Sequence, residues 1–438
     1  MNPLRTAVNS FLAARAGNFA VMTAAVSAAL VLAAGFALNI GQVTMTRSNL
    51  LNALDAAVTS TARDITTGRL APDKARETVE AFLFANGGTG FADTNNITLD
   101  SLTADRAART LRAVASVNIE LAFPVFGTAS TRKISVESAA VYSDKKIEVA
   151  MMLDVTGSMA GRKLTDLKNA ARNAVETLLA SNSETNPRVR VALVPYATAV
   201  NTGVLSNTVH VERRPTGGEP PRLDAPFAAA AGGGFDGCAT ERKGSLQFTD
   251  ASPYDAMVNR DVRLSYCPSD ALRPLTTDLD ELNRSIRRFR ASGYTAGHIG
   301  IQWSWYLLSP NWAPVLPTAA KPADHNPGKV SKYAILMTDG EFNTAYAGVG
   351  RSETPDGAQT RRSSNYAKRL CDAMKADGIE IFTIGFMLNE AAAKDVMRDC
   401  ATEGGRTVRH YFETSTGAEL DAAFQEIAAN IERLALTK

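Results

Sequence analysis

Histidine and cysteine are both scarce in this 438-residue chain, with four of each. His210, His298, His325 and His410 stand far apart without metal-ligand spacing, and no C-x-x-C pair exists, which argues against a zinc framework. A charge of one sign is also lacking: 47 basic residues against 45 acidic ones leave a net charge of +2. A nucleic-acid binder would show a concentrated basic face, so no nucleic-acid partner is expected. No internal repeat is visible, and the residues around the candidate nucleophile Ser158 lack the G-x-S-x-G elbow of a serine hydrolase. What remains is ordinary globular composition, 45% apolar and 21% charged, in a chain long enough for two or three domains.

The N-terminus departs from that average. No residue from Ala16 to Thr46 is charged, and Phe19 to Ile40 is almost wholly apolar. As a helix, Phe19–Ile40 would span about 33 Å against a hydrocarbon core of roughly 30 Å. Arg5 and Arg15 precede it without an acidic residue, so residues 1–17 are expected in the cytoplasm, 18–41 across the membrane and the rest exported. A cleaved signal peptide, with Ala33-Ala34-Gly35 as processing site, would need a shorter apolar region. Val43, Leu50, Leu54, Ala57 and Thr61 continue the helical spacing, so a helical extension over 42–70 is predicted. The turn cluster at 87–90 and the period-2 runs VASVNIELAFPV and RKISVESAAVYS make 71–145 a small β-rich region. Export agrees with disulfides. Cys238 and Cys267 share one irregular segment, whereas Cys371 and Cys400 flank the run IEIFTIGF, so Cys238–Cys267 and Cys371–Cys400 are the expected pairs.

From Lys146 the pattern alternates between apolar strands and amphipathic helices. IEVAMMLD, RVRVALVPYAT, KYAILMTDG and IEIFTIGF read as strands; KLTDLKNAARNAVETLLA, NYAKRLCDAMKADG and GAELDAAFQEIAANIERLAL read as helices. This predicts an α/β domain over 146–438 with a doubly wound, mostly parallel, Rossmann-like sheet. The segment at about 200–277, rich in glycine and proline, interrupts the alternation and reads as an insertion partly ordered by a disulfide.

Asp154 and Asp339 each end a predicted strand, where open parallel sheets bind ligands. Thr156 and Ser158 follow Asp154 in the run Asp-Val-Thr-Gly-Ser-Met, and Gly157 lets the backbone bend between them. Carboxylates with hydroxyls are hard ligands suited to magnesium or manganese. The plainer role for Ser158 is a helix cap. The site is expected on the rim of the sheet, so that loss of Asp154 would spare the fold.

Asp154-Val-Thr-Gly-Ser-Met and MTDGEFN resemble the metal-ion-dependent adhesion site of von Willebrand factor A (VWA) domains. The resemblance implies a third loop threonine, for which Thr295 in ASGYTAGHIG has the right order. It thus implies a magnesium ion among Asp154, Thr156, Ser158, Thr295 and Asp339, completed by a carboxylate from a protein partner. RAGNFAVMTAAV with LNALDAAVTSTA is similar to the N-terminal helix of the TadE/TadG group of Flp (type IVb) pilus-assembly proteins. IQWSWYLLSPNW, LCDAMKADGIEIFTIGF and ERLALTK are similar to the TadG version of the VWA domain. What this implies is a non-enzymatic, single-pass inner-membrane protein, its bulk periplasmic or extracellular, working with other pilus-assembly components. A VWA-domain adhesin or envelope scaffold unrelated to pili is the alternative, and a metal-dependent hydrolase a third reading that no nucleophile–base pair in the sequence supports.

Overall fold

In a computed structural model, the chain is described over residues 15–66, 69–86, 97–105, 108–124, 130–143, 145–182, 187–212, 218–225, 237–262, 264, 266–348, 355–404 and 408–437. The turn cluster expected at 87–90 lies outside these residues. The chain divides into two compact units, residues 1–66 with 70–142, and residues 67–69 with 143–438.

The first unit is one long helix laid along a sheet. Helix α1 (Arg15–Thr66) runs without a break from the apolar N-terminal run through the predicted extension. Thr46, Leu50, Leu54, Ala57, Thr61 and Ile65 recur at steps of three or four, with Gly35 about three turns before them, and all are buried, the stripe by which a helix packs. The other faces of its N-terminal part are bare: Val21, Val26, Leu30, Phe36 and Leu38 are exposed. The expected β-rich region begins instead with a second helix, α2 (Ala75–Asn86), which buries Val79 and Leu83 at i, i+4 spacing. Strands β1 (Ile97–Asp105), β2 (Thr110–Glu120) and β3 (Thr131–Val141) form an antiparallel meander, in register from Thr110↔Val141 to Glu120↔Thr131 between the last two. Its inward residues Ala113, Ala115, Val117, Ile134 and Val136 meet the buried stripe of α1.

The second unit is built on a sheet whose central strands are apolar on both faces. Strands β4 (Lys146–Asp154), β5 (Val189–Tyr196), β11 (Val330–Thr338), β12 (Glu380–Phe386) and β13 (Tyr411–Thr414) are parallel and lie in the order β13-β12-β11-β4-β5. Val149, Met151 and Leu153 pack toward helices α3 (Arg162–Leu179), α4 (Leu279–Arg288) and α8 (Gly417–Thr437). Ala150 and Met152 pack the other way, toward α5 (Gly297–Leu308), α6 (Gly357–Ala376) and α7 (Ala391–Cys400). Every residue of α5 is buried, including Trp303, Trp305 and Tyr306.

The sheet is mixed, which corrects the doubly wound, mostly parallel reading. Its antiparallel members come from the insertion: β6 (Val200–Asn201) pairs with β5, β8 (Cys238–Ala239) with β6, and β10 (Arg273–Thr276) with β5. Short strands β7 (Val209–Glu212) and β9 (Val258–Asp261) pair separately. The insertion thus extends the edge that β5 would otherwise leave with unpaired backbone. Both expected disulfides are formed, Cys238–Cys267 and Cys371–Cys400. The first ties β8 to the loop before β10; the second joins the last third of α6 to the last residue of α7.

Candidate metal centre

The first strand of the parallel set in chain order, β4, lies between β5 on one side and β11 on the other, so chain order reverses beside it. At such a point successive loops part to opposite faces and leave a crevice at the carboxyl ends. The parallel register Leu336↔Met152 carries Thr338 and Asp339 alongside Asp154 there.

Four of the five predicted ligands are connected by hydrogen bonds. Ser158 Oγ donates to Asp339 Oδ1 at 2.6 Å, across 181 sequence positions. The Thr156 and Ser158 hydroxyls lie 2.8 Å apart, and the Thr156 amide donates to Asp154 Oδ1 at 2.9 Å. The turn 157–159 is a short 3-10 helix, and α3 starts only afterwards with Gly161 as its cap. Ser158 therefore does not cap the helix; its hydroxyl faces the second aspartate. Thr295 arrives by a different route. The Gly157 amide donates to Gly293 O and the Ser292 amide to Val155 O, both at 2.9 Å. The Asn343 side chain accepts from the Thr295 amide at 3.0 Å. This holds the Thr295 loop against the Asp154 turn, while among the described residues no hydrogen bond joins the Thr295 hydroxyl to the other four. A methyl group on Gly157 would sit 3.2 Å from Gly293 O, so close approach of the two loops favours glycine there.

Asp154 is not on a rim. Its side chain is wholly buried, and Asp339 is 5% exposed. Asp154 Oδ2 accepts from Tyr196 OH and from Thr338 Oγ1, each at 2.8 Å. Truncation would leave the Tyr196 hydroxyl unpaired in the interior at about 1–3 kcal/mol, whereas Thr338 Oγ1 also reaches Gly340 O at 3.2 Å, so loss of Asp154 is expected to cost stability as well as a ligand. Burial first, and the Asp339 carboxylate second, push the Asp154 carboxyl up to about 6. Burial first, and the Asp154 carboxylate second, hold the Tyr196 hydroxyl well above its ordinary value, so it remains a donor.

Tyr196, Thr338, Lys163 and Asn343 were not legible as site residues. Lys163 Nζ donates to Asp339 Oδ2 at 2.7 Å with its own side chain 28% exposed. It follows Asp154 by nine positions, and only the turn of α3 reveals that its chain reaches back. Two converging carboxylates with one side cation are under-neutralised, and hydroxyl oxygens complete a hard-donor set. That set fits a divalent cation of the magnesium type. Among the described residues no group of three or more His, Cys, Asp or Glu gathers to hold a metal, here or elsewhere, so this set rests on two carboxylates with hydroxyls.

A second polar chain, Ser363 Oγ to His298 Nδ1 at 2.8 Å and His298 Nε2 to Glu241, has the residue types of a hydrolase triad. All three residues are buried. Glu241 also accepts the amides of Tyr346 and Ala347, so the chain pins the loop after Asp339 to the insertion and has no access to substrate.

Residues 17–64 match the TadE/G-like Flp pilus-assembly (Tad) family model, so the N-terminal helix is similar to the helix of that family. No curated protein sequence matches the chain. Among solved structures, the chain is similar to the vWF domain of the type V pili tip protein Mfa5 from Porphyromonas gingivalis. That likeness has 17% identity and TM-score 0.39, and covers 67% of this chain and 97% of the other. It is similar to the D319A mutant of the PilB minor pilin from Streptococcus sanguinis, at 12% identity and TM-score 0.38 over 78% of this chain and 79% of that one. A third likeness is proximal thread matrix protein 1 from the mussel byssus with a zinc-occupied MIDAS motif. It has 11% identity and TM-score 0.31, over 66% of this chain and 46% of that one. At these scores the function is argued from the site itself.

Proposed function

We propose that the second unit binds a divalent cation, magnesium or manganese, through Asp154, Thr156, Ser158, Thr295 and Asp339, and that a carboxylate of a partner protein completes the coordination. The observation that carries this reading is the Ser158–Asp339 hydrogen bond beside the buried Asp154. Ligand-type oxygens from two strand ends already point at one another there. When bound, the ion supplies positive charge that rewards a partner's Asp or Glu over its amide, so a nearly neutral protein can still be selective. Asp154 and Asp339 hold the ion, Thr156 and Ser158 orient toward it, and Tyr196 and Thr338 fix the Asp154 carboxylate.

The match of residues 17–64 supports a role in Flp pilus assembly, with α1 as a single-pass inner-membrane anchor. Arg5 and Arg15 support a cytoplasmic N-terminus with the two folded units exported. The protein acts by binding and not by catalysis, a reading supported by the closed surroundings of Ser363, His298 and Glu241. The test is capture of the other pilus-assembly components by the full chain in detergent, with and without chelator. Capture should fall with chelator and in Asp154→Asn. Equal capture by wild type and variant under both conditions would leave the second unit a passive scaffold.

A further inference from the structure

The uncharged stretch Ala16–Thr46 is about 46 Å long as a helix, well beyond the roughly 30 Å of a hydrocarbon core. The structure shows where the surplus goes. Contacts between α1 and the meander begin at Gly35, inside the apolar run, at the loop that follows β2. The Phe123 ring occupies the notch left by the missing Gly35 side chain, where a methyl group would stand 2.2 Å from it. One turn further on, Asn39 Nδ2 donates to Phe123 O at 2.7 Å and Asn39 Oδ1 accepts the Phe123 amide at 3.0 Å. Gln42 repeats the pattern, donating to Glu120 O at 2.7 Å and accepting the Ala122 amide at 3.0 Å. Leu121 donates across the loop to Ser130 O at 2.8 Å.

These pairings satisfy Glu120 O, the amides of Leu121, Ala122 and Phe123, and Phe123 O from within the protein. Water would serve a surface loop equally well, and two helix amides would not be needed. A loop lying among lipid has no such recourse, because each unsatisfied backbone group there costs several kcal/mol. The loop is also apolar: Leu121-Ala122-Phe123-Pro124, with Ala122 and Pro124 exposed. It is continuous with the bare apolar surface of α1 at Phe36 and Leu38.

We infer that residues 121–124, clamped to Gly35, Asn39 and Gln42, form a second lipid-contacting element seated in the outer interface of the membrane that α1 crosses. This inference rests on the membrane-span reading. It moves the effective outer end of the span from residue 41 to about Gly35, since Ala16–Gly35 alone covers about 30 Å. It also makes the meander rest on the bilayer surface, held by two points where α1 alone would leave it free to swivel.

The test uses the full chain in phosphatidylcholine–phosphatidylglycerol vesicles. All four native cysteines are in disulfides, so single cysteines take a spin label selectively. Labels at Val31→Cys in the span, Ala122→Cys in the loop and Ala139→Cys at the far end of β3 report depth by oxygen against nickel-chelate accessibility. The expected order of depth is Val31, then Ala122, with Ala139 in water. An Ala122 label as water-exposed as Ala139, with Val31 in lipid, overturns the inference and leaves the span standing. A water-exposed Val31 label overturns the span itself and the inference with it. In an Asn39→Ala, Gln42→Ala double variant the Ala122 label should shift outward while Val31 stays. An unmoved label would show that the amides do not hold the loop in place.

Discussion

Acidification of the metal-free protein from about pH 7.5 to about pH 5 should weaken its affinity for magnesium or manganese about tenfold. The magnitude comes from Asp154. Its carboxyl lies in the interior, and burial and then the Asp339 carboxylate push it up to about 6. A cation takes the carboxylate ionised and must displace any proton bound there. Near pH 7.5 almost every site is ionised; near pH 5 only about one in eleven is, a loss of about 1.4 kcal/mol in apparent binding energy. The same shift has a sign for stability. A carboxyl raised above its unfolded value penalises the folded state while it is ionised, and the penalty is relieved as pH falls through about 6. The displacement from 3.8 to about 6 corresponds to roughly 3 kcal/mol. Metal-free protein should therefore gain stability from this group on mild acidification, and bound metal should cancel the gain. Calorimetric titration and thermal melts of the full chain in detergent, with wild type and Asp154→Asn side by side, give both quantities. Identical affinities at the two pH values would refute the reasoning, as would metal binding by Asp154→Asn at wild-type strength.

Thr156→Ser should retain metal binding because the hydroxyl beside Ser158 is kept, whereas Thr156→Val, equal in shape, should weaken it about a hundredfold or more in the same titration. Lys163→Gln should strengthen metal binding about threefold to tenfold, since its ammonium competes for Asp339 through a partly screened contact. Weaker binding in that variant would instead assign Lys163 to holding Asp339 in place. Reduction of Cys371–Cys400, tested as the Cys371→Ala, Cys400→Ala pair, should lower stability by about 3.6 kcal/mol in denaturant unfolding, the entropy of a loop closed at a separation of 29 positions.

Local chemistry was enough to read the elements that bury a regular pattern. The long helix follows from an uninterrupted apolar run without proline or glycine past Gln42. Strands β4, β5, β11 and β12 follow from apolar runs too short for helices, and the two disulfides from which segments carry the cysteines. Asp154, Thr156, Ser158 and Asp339 were legible because each sits at a strand end or one turn beyond, where alternation and chain direction already dictate which edge it reaches. Tertiary structure alone decided the rest. The mixed sheet arises because β5 has a free edge that the insertion covers, a pairing between segments with no local signature. That Asp154 is buried, and so both perturbed and structurally needed, depends on Tyr196 and Thr338 closing over it from neighbouring strands. Lys163 reaches Asp339 only through the turn into α3, and Phe123 meets Gly35 only because a hairpin folds back on the helix. Periodicity reports which face of an element is apolar; it carries no information on which distant polar atom will stand opposite, since that is set by strand order and loop path.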